Sequence, residues 1–181
     1  MDDDTNIKLE GTTLYFYDEI NEKTSLQFIT LLQQAERAAL HSTIDNGTEP
    51  IVTLYVNSPG GSIFDVWSMI DAVQNCRVHV RSIVTGYAAS AGALLALSAD
   101  SRYIMPNAYM LIHSVSTGFW GDHEDLEDEV RIMRMLRQQM RKYVTKHTNL
   151  SKQTIKEYMK RNWWLDAKTA LKDGFVEGVV K

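Results

Sequence analysis

Ser90 and His113 are the residues whose type and surroundings best fit acyl-transfer chemistry. Ser90 lies in Gly86-Tyr87-Ala88-Ala89-Ser90-Ala91-Gly92, where small side chains let a substrate backbone come close. The apolar run after it reads as a helix, and a helix N-terminus favours negative charge developing on an attacked carbonyl. The Ala91 N–H then stands where the donor after the nucleophile stands in other acyl-transfer sites. His113 closes the apolar run Tyr109-Met110-Leu111-Ile112. A neutral imidazole there can take a hydroxyl proton and return it to a leaving amine. The other histidines (His41, His79, His123 and His147) lie in polar or helix-end settings.

A third segment, Asn57-Ser58-Pro59-Gly60-Gly61, offers backbone N–H groups that no side chain obstructs. Such amides can hold an oxyanion. Each segment also has a plainer reading: a tight turn after a buried strand, a helix cap among small residues, and a histidine satisfied at a strand end.

The flanking periodicities say what must position these residues. Thr12 to Tyr17 reads as a strand, and Leu26, Ile29, Leu32, Ala35 and Ala39 as one helix face capped by Thr24 or Ser25 and ending near His41. Ile51 to Val56 is almost continuously apolar, as in a strand covered on both faces. Further along, 63–75 and 88–98 read as helices and 78–84, 102–105 and 109–112 as strands. The longest helix is predicted over 122–147, with Leu126, Val130, Met133, Leu136, Met140 and Val144 as its apolar stripe. Its acidic start and basic end complement the helix dipole, so the charge runs need no partner. Helices over 151–161 and 166–173 and a short strand in FVEGVV complete an α/β chain with neither repeat nor linker.

Composition narrows the function. In 181 residues, 44% are hydrophobic and 23% charged, as in a single packed domain, and the net charge of -4 comes without a basic stripe. Nucleic-acid binding is not expected. The longest apolar stretches are about half the ~20 residues that span a bilayer, so no membrane partner is expected either. The acidic opening MDDDTNIKLEG lacks the features of a secretory signal, and the lone Cys76 forms no internal disulfide. A cytoplasmic location and no cofactor or metal are the expectations.

In this order the three segments resemble those of the ClpP endopeptidases: a strand ending in NSPGG, a serine turn of the form GxxAS(x)G, and a strand ending in Met-Ile-His, matched here by Leu111-Ile112-His113. The close from Trp164 through Gly174-Phe175-Val176-Glu177 has the same pattern, and the likeness runs from about Thr12 to Val180. The resemblance implies a ββα spiral, the fold shared with crotonases, spanning 1–181 as one peptidase domain after a short segment 1–11. It implies Ser90 as nucleophile, His113 as general base, and an oxyanion hole built from Gly61 and Ala91, with Gly60, Ile63, Ser114 and Val115 along the substrate strand. It also implies stacked heptameric rings whose contacts include 117–121 and the long helix as a handle. Peptides or unfolded proteins would be the substrates and an AAA+ unfoldase a partner.

Three departures qualify that picture. The position matching the third triad residue is Asn162 rather than aspartate. An asparagine oxygen can accept the His113 Nδ1–H bond but cannot balance an imidazolium charge. Asp166, the nearest carboxylate in sequence, is an alternative, although Asp before a helix ending at Gly reads as an N-cap; Asn162 itself could be the C-cap of the preceding helix. His113-Ser114-Val115 replaces His-Gln-Pro, and most of the family's pore-lining N-terminal segment is missing, which fits a divergent, phage- or virus-borne member. Two other readings stand beside the peptidase: a weakly active or non-proteolytic ring subunit in a mixed assembly, and a crotonase-like acyl-CoA enzyme that would bind CoA without needing Ser90.

Overall fold

The computed structural model describes residues 5–46, 49–114 and 122–181, with the side chains of 43–46 left aside. Strands β1 (Ile7–Glu10) and β2 (Thr13–Phe16) form a hairpin at Gly11, so the segment expected to precede the fold contributes a strand to it. Helix α1 (Glu22–Asn46) begins before the anticipated cap. Asn21 is the capping residue: its Oδ1 accepts the Thr24 N–H at 3.0 Å, and Thr24 Oγ1 accepts the Asn21 N–H at 2.9 Å. This reciprocal pair satisfies amides that a helix start leaves without partners. Phe28, Leu32, Ala35 and Ala39 then form the buried face.

Strand β3 (Ile51–Ser58) runs parallel to β2 and leads into α2 (Ile63–Gln74). Strand β4 (His79–Ala89) runs five residues past the expected end. Its register with β3 passes from Val56↔Val84 to Ser58↔Ala88, so β4 carries two extra residues around Gly86. Extra residues bend a strand and re-aim the side chains beyond the bend. Below the bulge β4 pairs with β5 (Ser101–Ile104), and above it with β6 (Tyr109–Ile112).

Between these lies α3 (Ala91–Leu97), with all seven residues buried. Seven residues are too few for a stable isolated helix, so burial is what holds α3 in place. Leu94, Leu95 and Leu97 supply most of that, at roughly 2 kcal/mol each. Replacing Leu94 by Ala would cost about 2–5 kcal/mol.

Helix α4 (His123–His147) starts at Asp122, whose carboxylate accepts the Asp125 N–H at 3.0 Å. Leu136, Met140 and Val144 are buried as the stripe requires, whereas Leu126 and Val130 are 49% and 40% exposed. The C-terminal half packs on the core and the first half extends beyond it. Helix α5 (Lys152–Tyr158) is succeeded by an unanticipated strand, β7 (Trp163–Asp166), antiparallel to β6. Helix α6 (Ala167–Lys172) and strand β8 (Gly178–Val179), parallel to β5, close the fold. The sheet order is β1-β2-β3-β4-β5-β8, with β6 and β7 branching from the upper part of β4. This mixed α/β arrangement of one eight-stranded sheet and flanking helices is the expected fold class.

Candidate active site

Strands β3, β4 and β6 are parallel, so their carboxyl ends lie together, the position where ligands gather in parallel sheets. The ends of these strands are Ser58, Ala89 and Ile112. The three sequence segments come directly after or across these ends. Gly61, Ile63, Ser90 and His113 line one cleft of about 310 Å³ at that edge.

Ser90 occupies the turn between β4 and α3 with φ 55° and ψ -120°. Among the described residues it is the one non-glycine residue with positive φ. Such a backbone costs on the order of 1–3 kcal/mol and persists where surrounding contacts enforce it. Here the Ser90 N–H donates to the Leu111 carbonyl at 2.8 Å, which fixes the turn against β6 two residues before His113. The reading of Ser90 as a helix cap is only half right. It holds the N-cap position, but its hydroxyl makes no capping bond. The strained strand-to-helix serine is the geometry of a nucleophile elbow.

The NSPGG segment is built around this turn. The Ser58 hydroxyl is buried; it donates to the Asp18 carbonyl at 2.6 Å and accepts the Gly60 N–H at 3.1 Å. Asn57 Oδ1 accepts the Tyr87 N–H at 3.2 Å, tying the segment to the bulge of β4. Gly60 has φ +92°, and a Cβ there would stand 2.8 Å from Ser90 Cβ and 2.9 Å from the Ala91 nitrogen. Gly61 has φ +140° and pairs with Ile20. The Gly60 carbonyl accepts the Ile20 N–H at 2.7 Å, and the Ser62 N–H donates to the Ile20 carbonyl at 2.8 Å. Bonds to Ile20 therefore fall on the residues either side of Gly61, and in a parallel ladder the Gly61 N–H faces away from that strand. Ala91 is the first residue of α3, so its N–H has no partner within the helix.

His113 is half-buried, and burial alone pushes its pKa below the ordinary imidazole value. No hydrogen bond to its ring is formed among the described residues. The β6–β7 register ends with Ile112 opposite Trp163, the residues adjoining His113 and Asn162 in the chain. Asn162 lies beyond the C-cap of α5, Met159, and is exposed, so it does not end that helix. Asp166 stands opposite Tyr109, four residues down the ladder or roughly 13 Å from the His113 level. Its carboxylate accepts the Thr169 N–H at 2.7 Å as the N-cap of α6, and these bonds lower its pKa.

Gly60 packs behind Ser90 and Ser114 comes directly after His113, but neither lines the cleft. The Ser114 hydroxyl is buried without a partner among the described residues. Val115 and 117–121 lie outside the described residues. The sequence reading missed the opposite wall, formed by Phe64 of α2 and by Glu129, Ile132, Met133, Leu136 and Met140 of α4. Their spacing of three and four was the available signal. Among the described residues no three His, Cys, Asp or Glu side chains gather as a metal site, and no helix is long and apolar enough to cross a membrane.

A strained serine, a half-buried histidine and outward-facing amides gather at one sheet edge. The Clp protease family model matches residues 3–181, and the chain belongs to that family. Membership places it broadly among serine protease subunits.

Proposed function

We propose that the chain is a serine endopeptidase subunit that hydrolyses peptides or unfolded proteins through an acyl-enzyme. The observation that carries this reading is the strained Ser90 turn facing the same cleft as the half-buried His113. His113 takes the Ser90 hydroxyl proton as Oγ attacks the peptide carbonyl, then protonates the leaving amine. The carbonyl oxygen, becoming negative, is held by the Gly61 and Ala91 N–H groups. Loss of one such donor typically costs roughly 10²–10³ in turnover. In the second half-reaction His113 activates water against the ester, and Ser90 is released. Asn162 orients the imidazole through its side-chain oxygen, and the substrate strand runs past Gly60, Ile63, Ser114 and Val115. Metal and cofactor have no role in this scheme.

The subunit works in a homo-oligomeric chamber of stacked heptameric rings in the cytoplasm, where an AAA+ unfoldase would be the partner class that feeds it folded substrates. The exposure of Leu126, Val130 and Met135 on α4 supports a contact between copies there. A fluorophosphonate probe should label the wild type and not Ser90→Ala. Absence of label on both would overturn the peptidase reading.

Asn162 favours a second reading, a weakly active or non-proteolytic subunit of a mixed ring. Without a carboxylate opposite His113 the imidazolium is not charge-balanced. Robust peptide turnover by the purified chain alone would rule this out. The acyl-CoA alternative gains nothing from the site, because a strained serine beside a histidine has no task in it.

A further inference from the structure

The wall of the cleft contributed by α4 is apolar except at one position. Ile132, Met133, Leu136 and Met140 face it with Ile63 and Phe64 of α2, and Glu129 begins the same stripe. Residues three, four and seven apart share a helix face, so the carboxylate belongs to this lining rather than to the solvent side. Glu129 is only partly exposed and forms no ion pair among the described residues. Its helix-face neighbours are Asp125, Leu126, Ile132 and Met133, and residues 115–121 contain no cation. Apart from Glu129, the titratable residue lining the cleft is His113, whose lowered pKa is due to burial and not to a nearby carboxylate.

We propose that Glu129 is a specificity-determining residue that selects substrates carrying lysine or arginine in this cleft; the proposal rests on the peptidase reading above. A lysine side chain has an apolar stem that can lie along Ile132, Met133 and Ile63 and an ammonium that reaches a carboxylate. An acidic side chain meets like charge there. An apolar one desolvates Glu129 without giving it a partner.

The test uses the full-length Ser90→Ala chain and three fluorescent alanine-rich peptides that differ in one central residue, Lys, norleucine or Glu. Anisotropy should show the Lys peptide binding about tenfold more tightly than the Glu peptide, as a charge-assisted hydrogen bond allows. Adding Glu129→Gln should abolish the preference and Glu129→Lys should reverse it. Equal affinities, no binding of any peptide, or a preference that survives Glu129→Gln would overturn the proposal. Hydrolysis of the norleucine peptide by the Ser90-intact chain reads the peptidase assignment separately. No hydrolysis with an intact Lys preference would sink the peptidase reading and leave the selectivity standing; hydrolysis without charge preference would sink the role of Glu129 alone.

Discussion

Ile112 and Trp163 form the last pair of the β6–β7 ladder, and His113 and Asn162 are the residues next to them in the chain. On the proposed role of Asn162, a carboxylate at 162 would stand beside the imidazole that must become cationic during acyl transfer. Replacing aspartate by asparagine in a serine protease triad lowers turnover by about 10⁴. Asn162→Asp should raise peptide hydrolysis by at least about tenfold. Unchanged turnover, measured with a fluorogenic peptide, would remove Asn162 from the catalytic arrangement.

Asp166 provides the complementary control. Its carboxylate is committed to the Thr169 N–H and sits four ladder positions from His113. Asp166→Ala should lower the urea midpoint through loss of the α6 cap while leaving kcat/KM within about twofold of wild type. A collapse of turnover in a folded protein would contradict the geometry.

The contrast between these residues also marks what the sequence could reveal. The segments around Ser90 and His113 were readable because strand ends, small residues and a helix start are local patterns. Strand β7 was not. Trp163-Trp164-Leu165-Asp166 lies between two helices and has no clear alternation, and its identity depends on pairing with β6 more than fifty residues earlier. That pairing is what brings the chain next to Asn162 to the end of β6. The same holds for α4, where periodicity found one apolar stripe but could not show that its first half leaves the core.

Gly60 tests how tightly the NSPGG segment is fitted to the nucleophile. A Cβ there would stand 2.5 Å from the Ala89 carbonyl oxygen and 2.8 Å from Ser90 Cβ, both on a turn that is already strained. Gly60→Ala should cost about 2 kcal/mol or more in urea unfolding, because an added group in a packed site at positive φ forces backbone shifts. Fluorophosphonate labelling should fall with it. A variant as stable as wild type would show that this contact relaxes freely.

His147 should make stability depend on pH away from the active site. Its pKa is lowered to about 4, first by burial and then by the charges of Arg102 and Lys146. The unfolded chain binds this proton near pH 6.5 and the folded one only near 4, so the unfolded state carries more protons between them. Stability from this group is complete above pH 6.5 and declines as pH falls toward 4. Because the ring is only half-buried, solvent screening reduces the contribution to about 1–2 kcal/mol. His147→Gln should flatten urea-unfolding free energy across that window. An unchanged slope would mean that another group governs it.

The pH profile of Ser90 labelling tests His113 as the base, and its surroundings set the sign. A base must be neutral to accept the hydroxyl proton, so labelling falls when His113 becomes protonated. Burial disfavours the imidazolium and places its pKa below 6.5, and the acid limb should therefore bend below that value. If Asn162 orients the base as proposed, the negative charge in Asn162→Asp favours the imidazolium, so the inflection should move upward even as the maximum rate rises. Rate constants for fluorophosphonate labelling from about pH 4.5 to 8, a range that brackets the ordinary imidazole pKa, give both inflections without requiring turnover. A wild-type inflection at or above 6.5 would contradict the burial of the base; a shift to lower pH in Asn162→Asp would contradict the proposed role of Asn162.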